Sequence, residues 1–272
     1  MLFYTLLVMF GFLTGITAVL FGFGGGFVIV PLLYVMLNVV NGADSLIAQK
    51  AIHIGIATST CVMIVNAIVS TNKHHKLGNV LWSYVFPLSV YIAIGSIVGV
   101  ILTTMASNHL VRYAFMLYLI ATIIDCLFRK GFMKRDETIQ ARKLNQMETI
   151  GGGFVIGTIA TFLGVGGSIM TVPLLRRRGL SMTQATAMAN PLSLPVAITG
   201  TITYVVLAFY KPIDLGTWYV GYIDILAFFI LSISSILGVK FASRYIGKIA
   251  ETIHAKVYVF LLCLVLLSMF YK

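Results

Sequence analysis

Charged residues are absent from several long stretches of this chain, and that absence limits the possible folds more than any other feature. No Asp, Glu, Lys or Arg occurs before Asp44, and none occurs in residues 51–72, 77–111, 149–175, 179–210 or 257–271. The chain is 59% hydrophobic and only 10% charged, so a water-soluble domain could not bury its apolar surface. Because about 20 apolar residues cross a bilayer as a helix, the sequence predicts an all-α integral membrane protein.

One glycine-rich pattern occurs twice within these uncharged stretches. FGFGGGFVIVPLL spans residues 21–33, and LGVGGSIMTVPLL spans residues 163–175, at a constant offset of 142 residues. Ser168 replaces Gly26, the last glycine of the first cluster. Other matches follow in the same order at smaller offsets, such as Ser59 with Ser193 and Trp82 with Trp218. A collinear set of matches with drifting offsets indicates an internal duplication with loops of different length.

Glycines and prolines divide each half of the chain into five apolar segments. The predicted segments are roughly 2–21, 26–40, 47–71, 82–104 and 109–128, then 149–163, 167–175, 184–209, 217–239 and 257–271. An odd number of segments per half places the second half upside down, which predicts two inverted-topology repeats. We expect repeat 1 over 1–128, a basic cytoplasmic linker over 129–148 and repeat 2 over 149–272, which together form one transport domain.

The segments beside the second cluster are too short to cross the hydrocarbon core, which is about 30 Å thick. We therefore expect each glycine cluster to form the tip of a broken or re-entrant hairpin near mid-depth. Eight full crossings with two hairpins, or ten short crossings, would both satisfy this pattern.

The basic residues, which give a net charge of +11, indicate the orientation. If the linker is cytoplasmic, the alternation of segments places all but four of the 19 basic residues on the cytoplasmic side. The four exceptions are Lys50, Arg112, Lys211 and Lys272. This bias predicts a multi-pass protein of the cytoplasmic (inner) membrane with both termini outside, and it explains the charge without a nucleic-acid partner. The run Arg176–Arg178 is interpreted as an orientation anchor at the lipid surface.

The glycine clusters have the chemistry of an anion site. Glycine tolerates positive φ, and a helix that starts just after it presents unpaired N–H groups with a partial positive charge. Hydroxyl and amide side chains on the following helices could donate further hydrogen bonds. The predicted substrate-binding residues are Gly24, Gly25, Gly26, Phe27, Thr58, Ser59, Gly166, Gly167, Ser168, Asn190 and Ser193, and the predicted structural residues are Gly22, Pro31, Gly164 and Pro173. The alternatives are close helix packing for the glycines and helix-to-helix hydrogen bonds for the polar side chains.

Few other polar residues lie within the apolar segments. Asp125 and Asp224 are candidates for proton coupling, although an ion pair with Arg129 would also explain Asp125. His74 and His75 fall in a predicted solvated loop. No ligand cluster predicts a metal, and no cofactor is expected.

The two glycine–proline signatures resemble those of the TauE/SafE family of sulfite exporters and related probable membrane transporters. The likeness extends over nearly the whole chain and includes AIHIGIATS at residues 51–59. It implies a prokaryotic carrier of sulfite, sulfonates or other small sulfur-containing anions, usually moved outward, and it marks Ala57, Thr58 and Ser59 beside the glycines and prolines. This chain departs from the pattern at Ser168, and in NPLS at residues 190–193 where an ATS-like element is expected.

The sequence therefore favours a secondary transporter for a small anion, embedded in lipid and able to form a homo-oligomer, that rocks one repeat against the other. An anion channel, with the glycine-rich backbone as its filter, is the main alternative. An intramembrane enzyme is the third possibility, with Ser168 as nucleophile. It would need a base within hydrogen-bond reach, and His254 is predicted at the cytoplasmic end of the last segment, away from Ser168.

Overall fold

A computed structural model describes residues 2–42, 44–129, 131–133, 142, 144–210 and 213–270, with backbone only for Leu2. The described chain is almost entirely α-helical, as predicted. In order, its helices are α1 (Leu2–Phe21), α2 (Gly26–Asn41), α3 (Leu46–Gln49), α4 (Ala51–Lys76), α5 (Trp82–Met105), α6 (Asn108–Phe128), α7 (Gly153–Leu163), α8 (Ser168–Arg177), α9 (Met182–Tyr210), α10 (Ile225–Ala242) and α11 (Glu251–Ser268). A π-helical turn, Glu148–Gly152, precedes α7, and a 3₁₀ turn, Ser243–Tyr245, follows α10.

Seven of the described helices are long and apolar enough to cross a membrane, which confirms a multi-pass membrane protein. They are α1, α4, α5, α6, α9, α10 and α11. Seven is one fewer than the eight full crossings expected. The two glycine clusters also differ in their flanks. The first follows a helix of 20 residues, whereas the second lies between helices of 11 and 10 residues.

The helices of the two halves pack in exchanged pairs. The first helix of each half lies against the helix of the fourth apolar segment in the other half, so α1 packs on α10 and α7 packs on α5. Glycines allow close backbone approach in both pairs. A Cβ built on Gly15 would lie 1.9 Å from the Ser235 carbonyl oxygen, and one on Gly157 would lie 2.1 Å from that of Ile92. The main helices of the third segments, α4 and α9, pack on each other. Inverted repeats would produce this exchange, and their opposite orientation stays a prediction.

The predicted segment 217–239 is not one helix. Its first part forms a two-stranded antiparallel hairpin, β1 (Tyr219–Val220) and β2 (Ile223–Asp224), which turns at Gly221 with a φ of +56°. Asp224 then caps α10, because its Oδ1 accepts a hydrogen bond of 2.9 Å from the Ala227 N–H. The turn at Gly221 and the cap at Asp224 explain why α10 starts at Ile225 and not near residue 217. The apolar composition of the segment hides both signals.

Candidate functional site

The first glycine cluster forms a buried turn between α1 and α2, called turn 1 (residues 22–26) below. Gly22, Gly24 and Gly25 have φ values of +75°, +65° and +115°, which residues with a Cβ rarely adopt. The turn is held by its own backbone, since the Gly22 N–H donates to Ala18 O and the Gly25 N–H donates to Phe23 O. All five residues of the turn are buried. Helix α2 begins at Gly26, where the predicted segment 26–40 begins.

The second cluster forms the corresponding turn 2 (residues 164–168) between α7 and α8. Gly164 and Gly166 repeat the positive φ of their counterparts, at +68° and +69°. Gly167 differs from Gly25, because its φ of −69° is ordinary helical backbone. Helix α8 begins at Ser168, one residue after the start of the predicted segment 167–175. Duplication has therefore preserved two of the three unusual glycine conformations.

The two turns lie directly against each other. A Cβ built on Gly26 would lie 1.9 Å from Gly164 O, so only a glycine allows this contact. Ser59 of α4 joins the same place, because its hydroxyl donates to Gly164 O at 3.1 Å and to Ile56 O at 2.8 Å. The glycine patterns, which are far apart in sequence, meet inside the protein.

Met63 and Ser193 occupy the space beside the middle glycine of each turn. A Cβ on Gly24 would lie 3.1 Å from Met63 Sδ and 3.3 Å from Ser193 Oγ, and one on Gly166 would lie 2.7 and 3.2 Å from the same two atoms. The Ser193 hydroxyl is engaged with Ala189 O at 2.8 Å. A solute could therefore reach both middle glycines only after the Met63 thioether moved, and the unbranched methionine side chain can do so by rotamer changes.

Each turn leads into the N-terminus of a helix. The N–H groups of the first helical turn have no acceptor within their own helix, and these groups belong to Gly26 and Phe27 in α2 and to Ser168 and Ile169 in α8. The aligned peptide dipoles add a partial positive charge at each start. The Phe27 ring stacks on Phe23 with centroids 4.3 Å apart. Two helix starts of this kind, in one buried place, favour a negatively charged group.

Some buried polar atoms near the turns have no hydrogen-bond partner in the part of the chain that the structure describes. The Ser168 side chain is fully buried, and its Oγ has none. Asn190 donates from Nδ2 to Thr186 O at 3.2 Å, but its Oδ1 has none. Thr186 O is also the atom 2.8 Å from a Cβ built on Gly22. Asn190, which is itself in α9, therefore bonds to its own helix at the point where turn 1 packs against that helix. An unpaired buried polar group costs about 1–3 kcal/mol, so such groups call for a ligand.

Three predicted residues lie away from the turns. The Thr58 hydroxyl accepts the Asp224 N–H at 3.0 Å, which joins α4 to the β-hairpin. Burial raises the pKa of the Asp224 carboxyl, and the hydrogen bonds from Ala227 and Leu226 oppose that shift. Asp125 pairs with Arg129 at 3.3 Å, as the ion-pair interpretation expected, and with Arg177 at 2.5 Å.

The three arginines at the end of α8 are held in ion pairs, and Arg176 is too buried to anchor the chain at a lipid surface, so that interpretation is wrong for Arg176. Each pairs with an acid from a different part of the fold: Arg176 with Glu251, Arg177 with Asp125 and Arg178 with Glu148. Arg176 is only 1% exposed, and it also donates to the carbonyl oxygens of Phe132 and Leu180. These bonds fix the end of α8 to the surrounding helices.

Sequence reasoning also missed two histidines that hold the end of α1 just before turn 1. His74 Nε2 lies 2.7 Å from Val19 O, and His254 Nε2 lies 2.8 Å from Leu20 O. His74 is in α4 and only 1% exposed, so the predicted solvated loop is wrong at this residue. His254 contacts α1 and not the Ser168 hydroxyl, and no described residue supplies Ser168 with a base.

A polar cavity of about 500 Å³ lies at the other end of α4. Its lining includes Lys50, His53, His109 and Arg112, and none of the described residues that line it is acidic. Arg112 is held in place by bonds from its guanidinium to Met269 O, at 2.7 Å, and to the Tyr34 hydroxyl, at 3.1 Å. The cavity therefore has a basic lining that attracts anions.

Comparison with known proteins identifies the group to which this arrangement belongs. The family model for the sulfite exporter TauE/SafE matches residues 7–269, a span that includes both turns and, apart from the first residues of α1, all seven of the described crossing helices. The chain belongs to the TauE/SafE family. No solved structure matches it.

Two relatives of this TauE/SafE chain are described as probable membrane transporter proteins. The one from Haemophilus influenzae is 28% identical over 276 residues, which cover 99% of each chain. The one from Methanocaldococcus jannaschii is 27% identical over 257 residues, which cover 89% of this chain and 88% of the relative. The resemblance drawn from the glycine–proline signatures is thereby confirmed, and the family and its relatives' descriptions support a membrane transporter.

Proposed function

We propose that this TauE/SafE protein is a secondary transporter for a small anion, namely a sulfur-containing oxyanion or an organosulfonate. The contact between the two buried turns is the observation that carries the proposal. Each turn exposes the N-terminal N–H groups of a helix, and together they supply positive potential without a buried cationic side chain. The family description, which names sulfite, supports the choice of a sulfur oxyanion.

The proposed mechanism is alternating access, in which one repeat rocks against the other around the paired turns. The exchanged packing of α1 on α10 and of α7 on α5 supports it, because each half then contributes to both helix pairs. In the arrangement described here, Met63 and Ser193 cover the middle glycines. Opening of the site would accordingly begin with displacement of the Met63 side chain.

The basic cavity beside Lys50 is the proposed outer approach to the turns. Lys50 and Arg112 are among the four basic residues that the loop charges place outside, on the side where both termini are proposed to lie. The cavity lies at the start of α4, the helix that carries Ser59 and Met63 to the turns. An anion attracted to the cavity would lie at the end of α4 from which the helix runs to the two turns. The protein would act in the cytoplasmic membrane of the cell.

A thermal-shift screen of the detergent-purified protein tests this function. The anions are sulfite, thiosulfate, sulfate, sulfoacetate and short carboxylates, each compared with sodium chloride of equal ionic strength. A ligand that binds only the folded state at about 100 times its Kd stabilises it by about 2.7 kcal/mol. We expect at least one sulfur oxyanion or sulfonate to raise the Tm above the chloride control. Equal Tm values for every anion would contradict the proposal.

A further inference from the structure

Asn66, on α4, is a fully buried amide for which neither the fold nor the family match provides a role. Its exposed fraction is 0%, and neither Oδ1 nor Nδ2 has a hydrogen-bond partner in the described ranges. Buried amides almost always form hydrogen bonds, because an unpaired one has lost its bonds to water and gained none in the protein. Ser70, one helical turn further along α4, also has a fully buried hydroxyl without a described partner. This strip of α4 is polar and unsatisfied.

The amide adjoins turn 1. A Cβ built on Gly25 would lie 2.8 Å from Asn66 Nδ2 and 3.4 Å from the Thr14 Cγ2 methyl. The Thr14 hydroxyl is likewise fully buried and unpaired among the described residues. Gly25 is the residue that precedes α2, so the Asn66 amide and the Thr14 side chain lie beside the start of a helix of 16 residues. Unpaired side chains on two further helices therefore adjoin that helix start.

The position of this cluster selects the charge of its ligand. The start of α2 carries the positive end of the helix dipole, which disfavours a cation and favours an anion. Asn66 Nδ2, which carries two N–H bonds, and the hydroxyls of Thr14 and Ser70 can all donate. None of the three described atoms nearest a Cβ built on Gly25 belongs to an acidic residue. The cluster therefore offers three donor groups for an oxyanion.

Turn 2 lacks this cluster. At the offset of the two turns, Thr14 corresponds to Ile156, and at the offset of Ser59 and Ser193, Asn66 corresponds to Gly200. A Cβ built on Gly167 would meet the Ile156 Cγ2 methyl at 2.9 Å and the Thr171 Cγ2 methyl at 3.8 Å. The atom nearest the third glycine is therefore an amide nitrogen in turn 1 and an isoleucine methyl in turn 2, although two of the three positive-φ glycines are shared.

We propose that Asn66 and Thr14 complete an oxyanion-binding half-site at turn 1, and that the charged group of the transported anion binds there and not midway between the turns. This inference rests on the proposed transport function and adds the residues that select an oxygen-rich head group. The less polar part of an organic anion would face turn 2.

Titration of the full-length protein with sodium sulfite, sodium thiosulfate and sodium sulfoacetate tests the half-site. The variants are Asn66→Leu and Thr14→Val, with Thr171→Val as the matched control because it removes a hydroxyl beside the third glycine of turn 2. We expect Asn66→Leu to weaken the Kd of the anion that binds the wild type by at least about 10-fold, as loss of a hydrogen bond to a charged group does. Thr14→Val should weaken it several-fold. Thr171→Val should leave it within about two-fold.

The Tm without anion separates binding from structure. Since the amide is unpaired, Asn66→Leu should keep or raise the anion-free Tm. An unchanged Kd in Asn66→Leu, together with anion binding by the wild type, would overturn the half-site and leave the proposed function intact. If the wild type binds no anion, both proposals fall. Should Asn66→Leu not fold, the isosteric Asn66→Asp is titrated in its place, and its carboxylate should abolish binding.

Discussion

Turn 1 and turn 2 have nearly the same backbone but different surroundings. Both hold glycines of positive φ at their first and third positions, and both lead into an apolar helix with a proline at its sixth position. Turn 1, however, is bordered by unpaired polar groups, whereas turn 2 borders isoleucine and carries a serine hydroxyl of its own. The helix after turn 2 is also tied down by three ion pairs. The difference indicates that duplication produced the shared backbone of the two turns. Later divergence of the side chains made the two ends of the site chemically different.

The anchoring of the helix after turn 2 predicts the largest effect. Arg176→Met removes one partner of a pair whose arginine is 1% exposed, and it leaves the carbonyl oxygens of Phe132 and Leu180 without their donor. The Glu251 side chain is 41% exposed and can be hydrated after the change, so the cost comes mainly from the two carbonyl oxygens, at about 1–3 kcal/mol each. Arg178→Met breaks a pair with Glu148 whose side chains are 27% and 28% exposed, and it should cost about 1 kcal/mol or less. Unfolding titrations of both variants measure the difference, and equal losses would show that burial of Arg176 is unimportant.

The contact between the turns predicts the next effect. Gly26→Ala would place a methyl group on the Gly164 carbonyl, whose position is fixed by backbone, and should destabilise the protein by about 3 kcal/mol. The matching change in turn 2, Ser168→Ala, removes only an unpaired hydroxyl and should change stability by less than about 1 kcal/mol. Thermal unfolding of the two variants measures both losses. A well-folded Gly26→Ala protein with wild-type Tm would mean that the turns do not touch.

A smaller effect distinguishes the last glycines before the two helices. Gly25→Ala forces a side chain to adopt a φ of +115° and to approach Asn66. Gly167→Ala retains an ordinary φ of −69°, although its methyl group would lie 2.9 Å from the Ile156 Cγ2 methyl. Strain of this kind costs about 1–3 kcal/mol, so Gly25→Ala should lower the Tm more than Gly167→Ala does. The reverse order would contradict the difference between the turns.

Much of this architecture could be predicted from the sequence. The uncharged stretches gave the crossing helices, and the repeated glycine–proline pattern identified both turns and the family. The hairpin at 219–224 was missed because its apolar residues continue the pattern of a helix. The ion pairs of Arg176 and Arg178 depend on acids distant in sequence, and Asn66 is a single amide in an apolar helix. Such partners become visible only when the fold brings them together.

The cavity at the start of α4 predicts the smallest effect. Lys50→Gln removes one positive charge from a lining whose described residues include no acid, so it should raise the half-saturating anion concentration by a few fold at low ionic strength. The effect should fade as salt is added. Lys256→Gln, in α11 and outside that lining, is the matched control. Equal half-saturating concentrations in the two variants would show that the anion does not pass through this cavity.

Counterflow in proteoliposomes tests the central proposal most directly. Vesicles containing the purified protein are loaded with unlabelled sulfite or sulfoacetate, and uptake of the same radiolabelled anion is followed against protein-free vesicles. The proposed carrier predicts saturable uptake that preloading accelerates and that Asn66→Leu weakens. No uptake of any sulfur oxyanion or sulfonate under any gradient, or a voltage-driven flux that never saturates, would contradict it.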